Sequence, residues 1–289
     1  MAGALLASLS LSVQAQVLGT KPAYTDRSLS PVPNAAAFGS RSWAPGLDNG
    51  YVPQGMAFAD GSVIMSSYRG TDHQAGAARC RVFRIQAATG TVTGQVDLPL
   101  VCAHAGGAAY AGNGRLFIAD TRALFEVPLA MFDGNKTGEV RLWPLGGRVR
   151  GSFLGYRKGS LWIGEWNHER EGTIFEIPLS ALDANPGGEL SERHATRLLG
   201  ISPDSQGAAF DAAGMLWLTQ SNGSFGQLQK VDAQTGTVVA SYVMPDGIED
   251  IAFDDSGGLW AVVEAGSQRW LHWSTFFPLV FRIEVRELR

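Results

Sequence analysis

The 289-residue sequence has few charged residues, no long apolar run and none of several common catalytic motifs, and each of these absences excludes a class of protein. Charged residues make up 17% of it, the formal net charge is −4, and no basic stripe is present. A nucleic-acid partner is therefore not expected. No apolar run is long enough to cross a membrane as a helix. The sequence also lacks a nucleophile elbow, a phosphate-binding loop and a dinucleotide-binding fingerprint.

What the sequence has instead is glycine and apolar residues in short stretches. It contains 36 glycines, and hydrophobic residues make up 45% of it. This composition is typical of many short buried strands joined by turns, and it argues against disorder or a coiled coil.

The N-terminal residues are predicted to be removed. Residues 4–13 form a short apolar run, and Val13 and Ala15 provide the small residues of a signal-peptidase site. No Lys or Arg precedes Lys21, so the usual basic region is missing. We expect a signal peptide over residues 1–15 and a secreted or periplasmic protein. Residues 16–37, rich in Pro, Ser and Ala, are predicted to form an extended arm before a single domain over 38–289.

One pattern occurs five times along that domain. A strand of small residues ends in an aromatic residue, a tight turn follows, and a second apolar strand returns, most clearly in residues 205–218. A sheet unit that repeats about every 40–50 residues is the signature of a β-propeller blade. The sequence therefore predicts an all-β, five-bladed β-propeller, with six blades as the alternative. The aromatic residues that end the first strands are Phe58, Tyr110, Tyr156, Phe210 and Phe253.

The fifth blade is predicted to be closed by the N-terminal part of the domain. The sequence ends six residues after Ile283, so this blade has no fourth strand of its own. A single strand is expected over residues 38–44, and it can take the vacant place. Closure by strands from both ends of the chain removes the exposed edges of an open sheet.

The two cysteines, Cys80 and Cys102, are predicted to form a disulfide. Cys80 opens the third strand of blade 1 and Cys102 follows the fourth, and these positions lie side by side in an antiparallel pair. Export and pairing support each other, because disulfides persist in oxidising compartments. The alternative is two free buried thiols.

The repeated pattern, Gly-x-Ala-Phe, a turn and Leu-Trp-Leu, resembles that of NHL-repeat, strictosidine-synthase-like and SMP-30/gluconolactonase-like propellers. The resemblance covers all five repeats at the level of the fold, and it implies a propeller that could work as a lactonase-type hydrolase. In SMP-30-like lactonases a Glu stands just before the Gly of the first blade and serves a divalent metal. Here that position is Gln54, which puts the metal in doubt.

Functional side chains are expected at one face of the propeller. The innermost strands start, and the second strands end, on the same face, so residues distant in sequence converge there. A site where several polar groups converge in a concave place is the usual form of a ligand site. The candidate catalytic residues are His104 and Glu249. The candidate binding residues are Gln54, Arg69, Asp120, Glu165, His168, Gln206, Asp250 and Glu264.

Each candidate also has a structural interpretation. His104 could hydrogen-bond a carbonyl beside the channel. Only one of Glu249 and Asp250 is expected to reach the channel, since neighbours in a strand point opposite ways, and the other could accept backbone amides. Gln54 and Gln206 could bind a hydroxyl-rich ligand or tie adjacent blades together.

Metal binding and the remaining loop residues are left open by the sequence. Glu165 and His168 could hold a metal, but no compact pair of histidines supports zinc, and exposed loop polarity explains them equally. A divalent cation such as Ca²⁺ stays one hypothesis for the candidate site.

An aromatic loop over residues 269–278 is predicted on the same face. It contains Trp270, Trp273, Phe276 and Phe277. Aromatic residues at a loop tip can cap a pocket or form an exposed apolar patch that binds a protein partner. A lid over the channel is the favoured interpretation.

Two functions are therefore carried forward. The first is an exported enzyme, a hydrolase of the lactonase or esterase type, that acts on a small molecule or saccharide at the channel mouth. The second is a non-catalytic propeller that binds a ligand or a protein at the same face, because one fold hosts both kinds of function.

Overall fold

The structure is a computed structural model that describes residues 16–72, 78–134 and 138–289. The predicted signal peptide and His73 lie outside the described residues. The described residues form five small sheets that are arranged as the blades of a β-propeller. The prediction of an all-β, five-bladed propeller is confirmed.

The strands follow one another from the inside of each blade to its outer edge. Two strands, β1 (Val17–Leu18) and β2 (Phe38–Trp43), come before the first complete blade. Blade 1 contains β3 (Tyr51–Ala59), β4 (Ser62–Arg69), β5 (Ala78–Gln86) and β6 (Val92–Asp97). Blade 2 contains β7 (Gly107–Tyr110), β8 (Arg115–Asp120), β9 (Ala123–Pro128) and β10 (Arg141–Pro144). Blade 3 contains β11 (Phe153–Arg157), β12 (Ser160–Gly164), β13 (Gly172–Pro178) and β14 (Arg197–Ile201).

The last two blades continue this order. Blade 4 contains β15 (Ser205–Phe210), β16 (Leu216–Asn222), β17 (Phe225–Val231) and β18 (Val238–Met244). Blade 5 contains β19 (Ile248–Phe253), β20 (Leu259–Val263) and β21 (Leu279–Ile283).

Helical structure within the described residues is confined to short connections. The α-helix α1 spans Leu179–Ala184, and 3₁₀ turns span Ala35–Ala37, Leu47–Asn49, Leu129–Asp133, Glu192–His194 and Val285–Glu287. None of the described helices has the length and apolar character needed to cross a bilayer.

Blade 5 is completed by the N-terminal part of the chain. Strand β2 pairs antiparallel with β21, with Phe38 opposite Ile283 and Trp43 opposite Leu279. This confirms the predicted closure. The sequence did not predict that β1 adds a further, parallel strand outside β2, because two residues are too few to show a period.

The recurring aromatic residues hold neighbouring blades together. The Phe58 ring stacks on Trp260 of blade 5 with the ring centroids 6.5 Å apart. Phe210 meets Trp162 edge to face at 5.1 Å, and Phe253 meets Trp217 in the same way at 6.0 Å. Such pairs add to the burial of apolar area. Phe58, Phe210 and Phe253 are therefore contacts between blades.

The innermost strands approach one another so closely that they need glycine. A Cβ atom at Gly55 would lie 2.6 Å from the backbone of Gly107, and one at Gly107 would lie 2.3 Å from Leu154 N. The small residues of the repeated pattern are thus required where blades 1, 2 and 3 meet around the axis.

The disulfide between Cys80 and Cys102 is present, with the two Cα atoms 5.8 Å apart. It ties strand β5 to the segment that leads into β7. Both cysteines are buried. The prediction of a bridge rather than two free thiols is confirmed.

Removing this bridge is expected to destabilise the protein. It closes a loop between residues separated by 22 positions. We expect the variant Cys80→Ala/Cys102→Ala to lose about 3 kcal/mol of unfolding free energy, because its unfolded chain is less constrained. Urea unfolding of the wild type and the variant measures the difference. A loss below about 1 kcal/mol would contradict a stabilising bridge.

Candidate functional site

A cavity of about 590 Å³ lies where the innermost strands begin and the second strands end. Its wall combines carboxyl, amide and hydroxyl groups with aromatic rings. The residues that line it are Gln54, Tyr68, Ala103, His104, Thr121, Arg150, Ser152, Trp166, Gln206, Ser221, Asn222, Gly223, Glu249, Glu264, Trp270 and Trp273. This is the face on which the sequence predicted that polar side chains converge.

Irregularities at the start of three innermost strands direct polar side chains into this cavity. The register of the pairing shifts between Pro53 and Met56 in β3 and between Ser205 and Gly207 in β15. It also shifts between Ile248 and Ile251 in β19. A bulge of this kind bends a strand locally and redirects a side chain. The residues placed in the three shifted segments include Gln54, Gln206 and Glu249.

Two glutamates from blade 5 form a pair in the cavity wall. Glu249 lies at the start of β19, and Glu264 directly follows β20, the strand that pairs with it. Both side chains are buried, and they lie close enough for the charge of Glu264 to raise the pKa of Glu249. Gln54 Nε2 donates to Glu264 Oε2 at 2.9 Å, and Trp270 Nε1 donates to the same oxygen at 2.7 Å. Gln206 Nε2 donates to Glu249 Oε1 at 3.3 Å.

This environment raises the pKa of both carboxyl groups. Burial raises the pKa of Glu249 well above its ordinary value, and the charge of Glu264 raises it further. Burial raises the pKa of Glu264 to about 7, against the opposing effect of the Trp270 and Gln54 donors. The pair therefore holds at least one proton near neutral pH, with Glu249 the more strongly protonated member.

The raised pKa of Glu264 predicts that stability falls as the pH rises. Between its unfolded pKa near 4.5 and its folded pKa of about 7, the native state holds a proton that the unfolded state releases. We expect the unfolding free energy of the wild type to decrease by up to about 3 kcal/mol from pH 5 to pH 8 through this group. The variant Glu264→Gln, which cannot titrate, should show a flatter profile.

Denaturant unfolding at several pH values checks this prediction. The exposed Glu287 provides a matched control, since Glu287→Gln removes a carboxyl group far from the cavity. If the wild type and Glu264→Gln follow the same pH profile, Glu264 does not titrate as described.

Asp250 does not face the cavity, in contrast to the prediction of a binding role. Its side chain is fully buried, and its two carboxyl oxygens accept the backbone N–H groups of Met56, Ala108 and Ala208 at 2.9–3.1 Å. Those groups belong to the innermost strands of blades 1, 2 and 4. Asp250 therefore joins four blades at the axis, and the expectation that only one of the two neighbouring acids reaches the channel agrees with this geometry.

His104 lines the cavity and is held by its neighbours. Its ring stacks on Tyr68 with the centroids 5.2 Å apart. A Cβ atom at Gly106 would lie 2.8 Å from His104 Nδ1, so a glycine at that position gives the ring its room. Burial lowers the pKa of His104, with the charge of Asp120 opposing and that of Arg269 adding to the shift. The imidazole is therefore neutral at pH 7 and can accept a proton.

Asp120, predicted as a binding residue, positions the segment of His104 instead. Its Oδ1 accepts the backbone N–H groups of Ala103, His104 and Ala105 at 2.6–3.1 Å. The carboxylate is buried and is not among the residues that line the cavity. Three converging amides explain its burial.

Three further candidates lie on this face but outside the cavity wall. Arg69 is exposed and donates to Asn49 O. Glu165 pairs with Arg170 at 3.0 Å. His168 is largely exposed, and its Nδ1 lies 2.8 Å from Asp204 Oδ1. Arg69 lies at the end of β4, and the present contacts of Glu165 and His168 are those of loop residues, as in the alternative interpretation of residues 165–168.

The aromatic loop divides into a cavity wall and a buried anchor. Trp270 and Trp273 line the cavity and stack on each other at 4.7 Å. Phe276 and Phe277 are buried in the core, so they cannot contribute to an exposed partner surface. The physical reason is that residues 276–279 return into blade 5, where Phe277 packs on Phe281.

The N-terminal arm holds this loop in place. Arg27 Nη1 donates to the backbone oxygens of Leu271 and Trp273 at 2.8 and 3.0 Å. Tyr24 donates through its hydroxyl to Gly266 O, and Ser30 Oγ accepts from Phe276 N. The sequence predicted the arm only as an extended segment. Its composition gives no sign of hydrogen bonds to residues that lie about 250 positions further along the chain.

Several residues of the cavity were not predicted to have a role. Arg150, Thr121 and Gly223 are in the wall. Arg150 comes two residues before Ser152, which also lines the cavity at the start of an innermost strand, so the same topological argument could have found it. The pairing of Glu249 with Glu264 was also missed, although hairpin neighbours in β19 and β20 allow it.

The described wall contains no compact set of carboxylates for calcium. Ca²⁺ takes six to eight oxygen ligands, and the two carboxyl groups of this wall, Glu249 and Glu264, are accompanied there by amide and hydroxyl oxygens such as those of Gln54, Asn222 and Ser221. One oxygen of Glu264 already accepts two hydrogen bonds. Among the described residues, the one cluster of three potential ligands from His, Cys, Asp and Glu is Cys80, Cys102 and Asp120, whose sulfurs are bonded to each other. No chemical step is therefore assigned to a cation.

Comparison with known proteins supports the fold. No protein-family model and no curated protein matches the chain. Among solved structures, the glutaminyl cyclase of Myxococcus xanthus is similar with a TM-score of 0.57 and 15% identity, over 85% of this chain and 94% of that chain. A gluconolactonase from Xanthomonas campestris is similar with a TM-score of 0.45 and 16% identity, over 89% of each chain. At 15% identity the likeness to the glutaminyl cyclase shows a shared fold.

Proposed function

We propose that this protein is an exported acid–base enzyme, a hydrolase that opens a lactone or cleaves an ester in the cavity at the channel mouth. The observation that carries the proposal is the buried pair of Glu249 and Glu264, which holds a proton near neutral pH in the wall of one cavity. A carboxyl group with a raised pKa is a general acid that works at physiological pH.

The proposed step uses Glu249 as the acid and His104 as the base. Neutral His104 takes a proton from a water molecule as the water oxygen bonds to the carbonyl carbon of the substrate. Glu249 gives its proton to the departing oxygen as the bond between that oxygen and the carbonyl carbon breaks. His104 then loses its proton to solvent and Glu249 regains one, so the net change is the addition of one water molecule to the substrate.

The remaining wall residues suit a small organic substrate. Tyr68, Trp166, Trp270 and Trp273 offer aromatic surfaces on which a ring or a sugar can stack. Ser152, Ser221 and Asn222 supply hydroxyl and amide groups that can orient it. Gln54 and Gln206, whose amides donate to the glutamates, hold the acid pair in position.

Export is part of the proposal and is supported by the disulfide. A bridge between Cys80 and Cys102 is stable in the extracellular space and the periplasm and is rare in the cytosol.

An activity panel tests the proposal. The wild-type protein is offered small lactones, carboxylic esters and peptides with an N-terminal glutamine, the last because of the fold shared with a glutaminyl cyclase. Turnover of a lactone or an ester that disappears in Glu249→Gln supports the hydrolase. Turnover of the peptides alone would replace it with a cyclase, and binding without any turnover would favour the non-catalytic propeller.

A further inference from the structure

Arg150 is a cationic side chain in the cavity wall without a carboxylate partner. Its Nη1 donates to two backbone oxygens, those of Gly147 and Val149, at 3.0 and 2.7 Å. No ion pair of Arg150 occurs among the described residues, whereas Arg81, Arg84, Arg115 and Arg282 each pair with an acid. The two backbone contacts fix one side of the guanidinium and leave Nε and Nη2 without a hydrogen-bond partner in the described part of the chain.

The other titratable groups of the cavity wall leave the positive charge of Arg150 largely without a counter-charge. The acid pair of Glu249 and Glu264 holds a proton, and His104 is neutral. These groups therefore do not supply a full negative charge that would balance Arg150. An arginine is always charged and offers a planar fork of N–H donors that matches a carboxylate. The wall therefore has a fixed positive charge that a bound molecule can neutralise.

From this arrangement we propose that Arg150 binds a carboxylate of the substrate and that it selects carboxylate-bearing molecules over neutral ones. This inference rests on the proposed function for its chemical step but concerns binding alone. The aromatic wall would take the apolar part of such a molecule, and the acid pair would face its reacting carbonyl group. Ester or lactone substrates that also carry a free carboxylate form the predicted class.

The test compares a carboxylate with its amide. The probes are 3-phenylpropanoate and 3-phenylpropanamide, which share the aromatic part and differ in charge. Binding is followed by tryptophan fluorescence, because Trp166, Trp270 and Trp273 line the cavity. The titration is done at pH 6, below the pKa of Glu264 of about 7, so that the acid pair carries little negative charge.

We expect the wild type to bind the carboxylate at least about 10-fold more tightly than the amide. Arg150→Gln should lose this preference while its affinity for the amide stays the same, and Arg150→Lys should retain part of it. Arg148→Gln is the matched control, since Arg148 is exposed, lies over the Phe175 ring and is not among the residues of the cavity wall. Thermal unfolding of each variant verifies that it is folded.

The inference is overturned if the wild type does not prefer the carboxylate, if neither probe binds, or if Arg150→Gln keeps the preference. The result is independent of catalysis. A protein that binds the carboxylate through Arg150 but turns over no substrate would refute the hydrolase and leave this inference standing.

Discussion

Replacing Asp250 by alanine is expected to destabilise the protein by about 4 kcal/mol or more. The substitution leaves the backbone N–H groups of Met56, Ala108 and Ala208 without their acceptor at the buried axis. Each buried donor that loses its partner costs about 1–3 kcal/mol. Because these groups come from three other blades, the loss weakens the closure of the whole ring. Asp250→Asn, which keeps one acceptor oxygen and introduces a donor facing the amides, should be destabilised by a smaller amount.

Chemical unfolding of the purified variants measures this effect, and the yield of folded protein reports it where a variant does not fold. Asp255→Ala is a suitable control, because Asp255 lies in an exposed turn after β19. If Asp250→Ala unfolds at the same denaturant concentration as Asp255→Ala, the role of Asp250 as a shared acceptor is wrong.

Replacing Glu249 by glutamine is expected to lower kcat on the substrate found in the activity panel by about 100- to 10,000-fold, the usual contribution of a general acid. The amide has nearly the same shape and can keep its contact with Gln206, but it has no proton to give to the leaving oxygen. The binding of substrate should change much less than kcat. The protein should remain folded. It should be at least as stable as the wild type at pH 8, since the substitution removes a buried acid whose pKa is raised in the folded state.

Steady-state kinetics over a range of pH checks this prediction. The wild type should lose kcat as the pH rises and the acid pair becomes deprotonated, and Glu249→Gln should lack that limb. Glu165→Gln is the matched control, because Glu165 is on the same face but outside the cavity wall. An effect of equal size in Glu165→Gln, or full activity in Glu249→Gln, would remove Glu249 from the mechanism.

The architecture was accessible from the sequence because each repeat carries its own local signals. Aromatic residues end the innermost strands at blade spacing, and Phe210 and Phe253 each pack on a tryptophan of a neighbouring blade. The alternation of apolar and polar residues indicates each strand, and the turns mark its ends. The disulfide followed from the topology of blade 1, since β6 pairs with β5 and the chain leads from the end of β6 to Cys102.

The face of the site was also accessible, but its chemistry was accessible only in part. Topology alone places Gln54, Gln206 and Glu249 at the starts of innermost strands, and all three line the cavity. It does not tell which neighbour in the strand points inward, and so Asp250 was grouped with the binding residues. Asp120 was grouped with the binding residues for a related reason, because the three N–H groups that donate to it come from the preceding loop.

By itself, then, the sequence predicted a propeller of five blades, with six as the alternative, together with how the ring closes and which end of the axis carries polar residues, because these depend on short periodic patterns. The tertiary structure decided which carboxyl groups come together in the cavity wall, which carboxyl group joins the blades, and which arginine lies in that wall. Those properties depend on distances between blades and on burial, and the sequence of a single repeat determines neither of them.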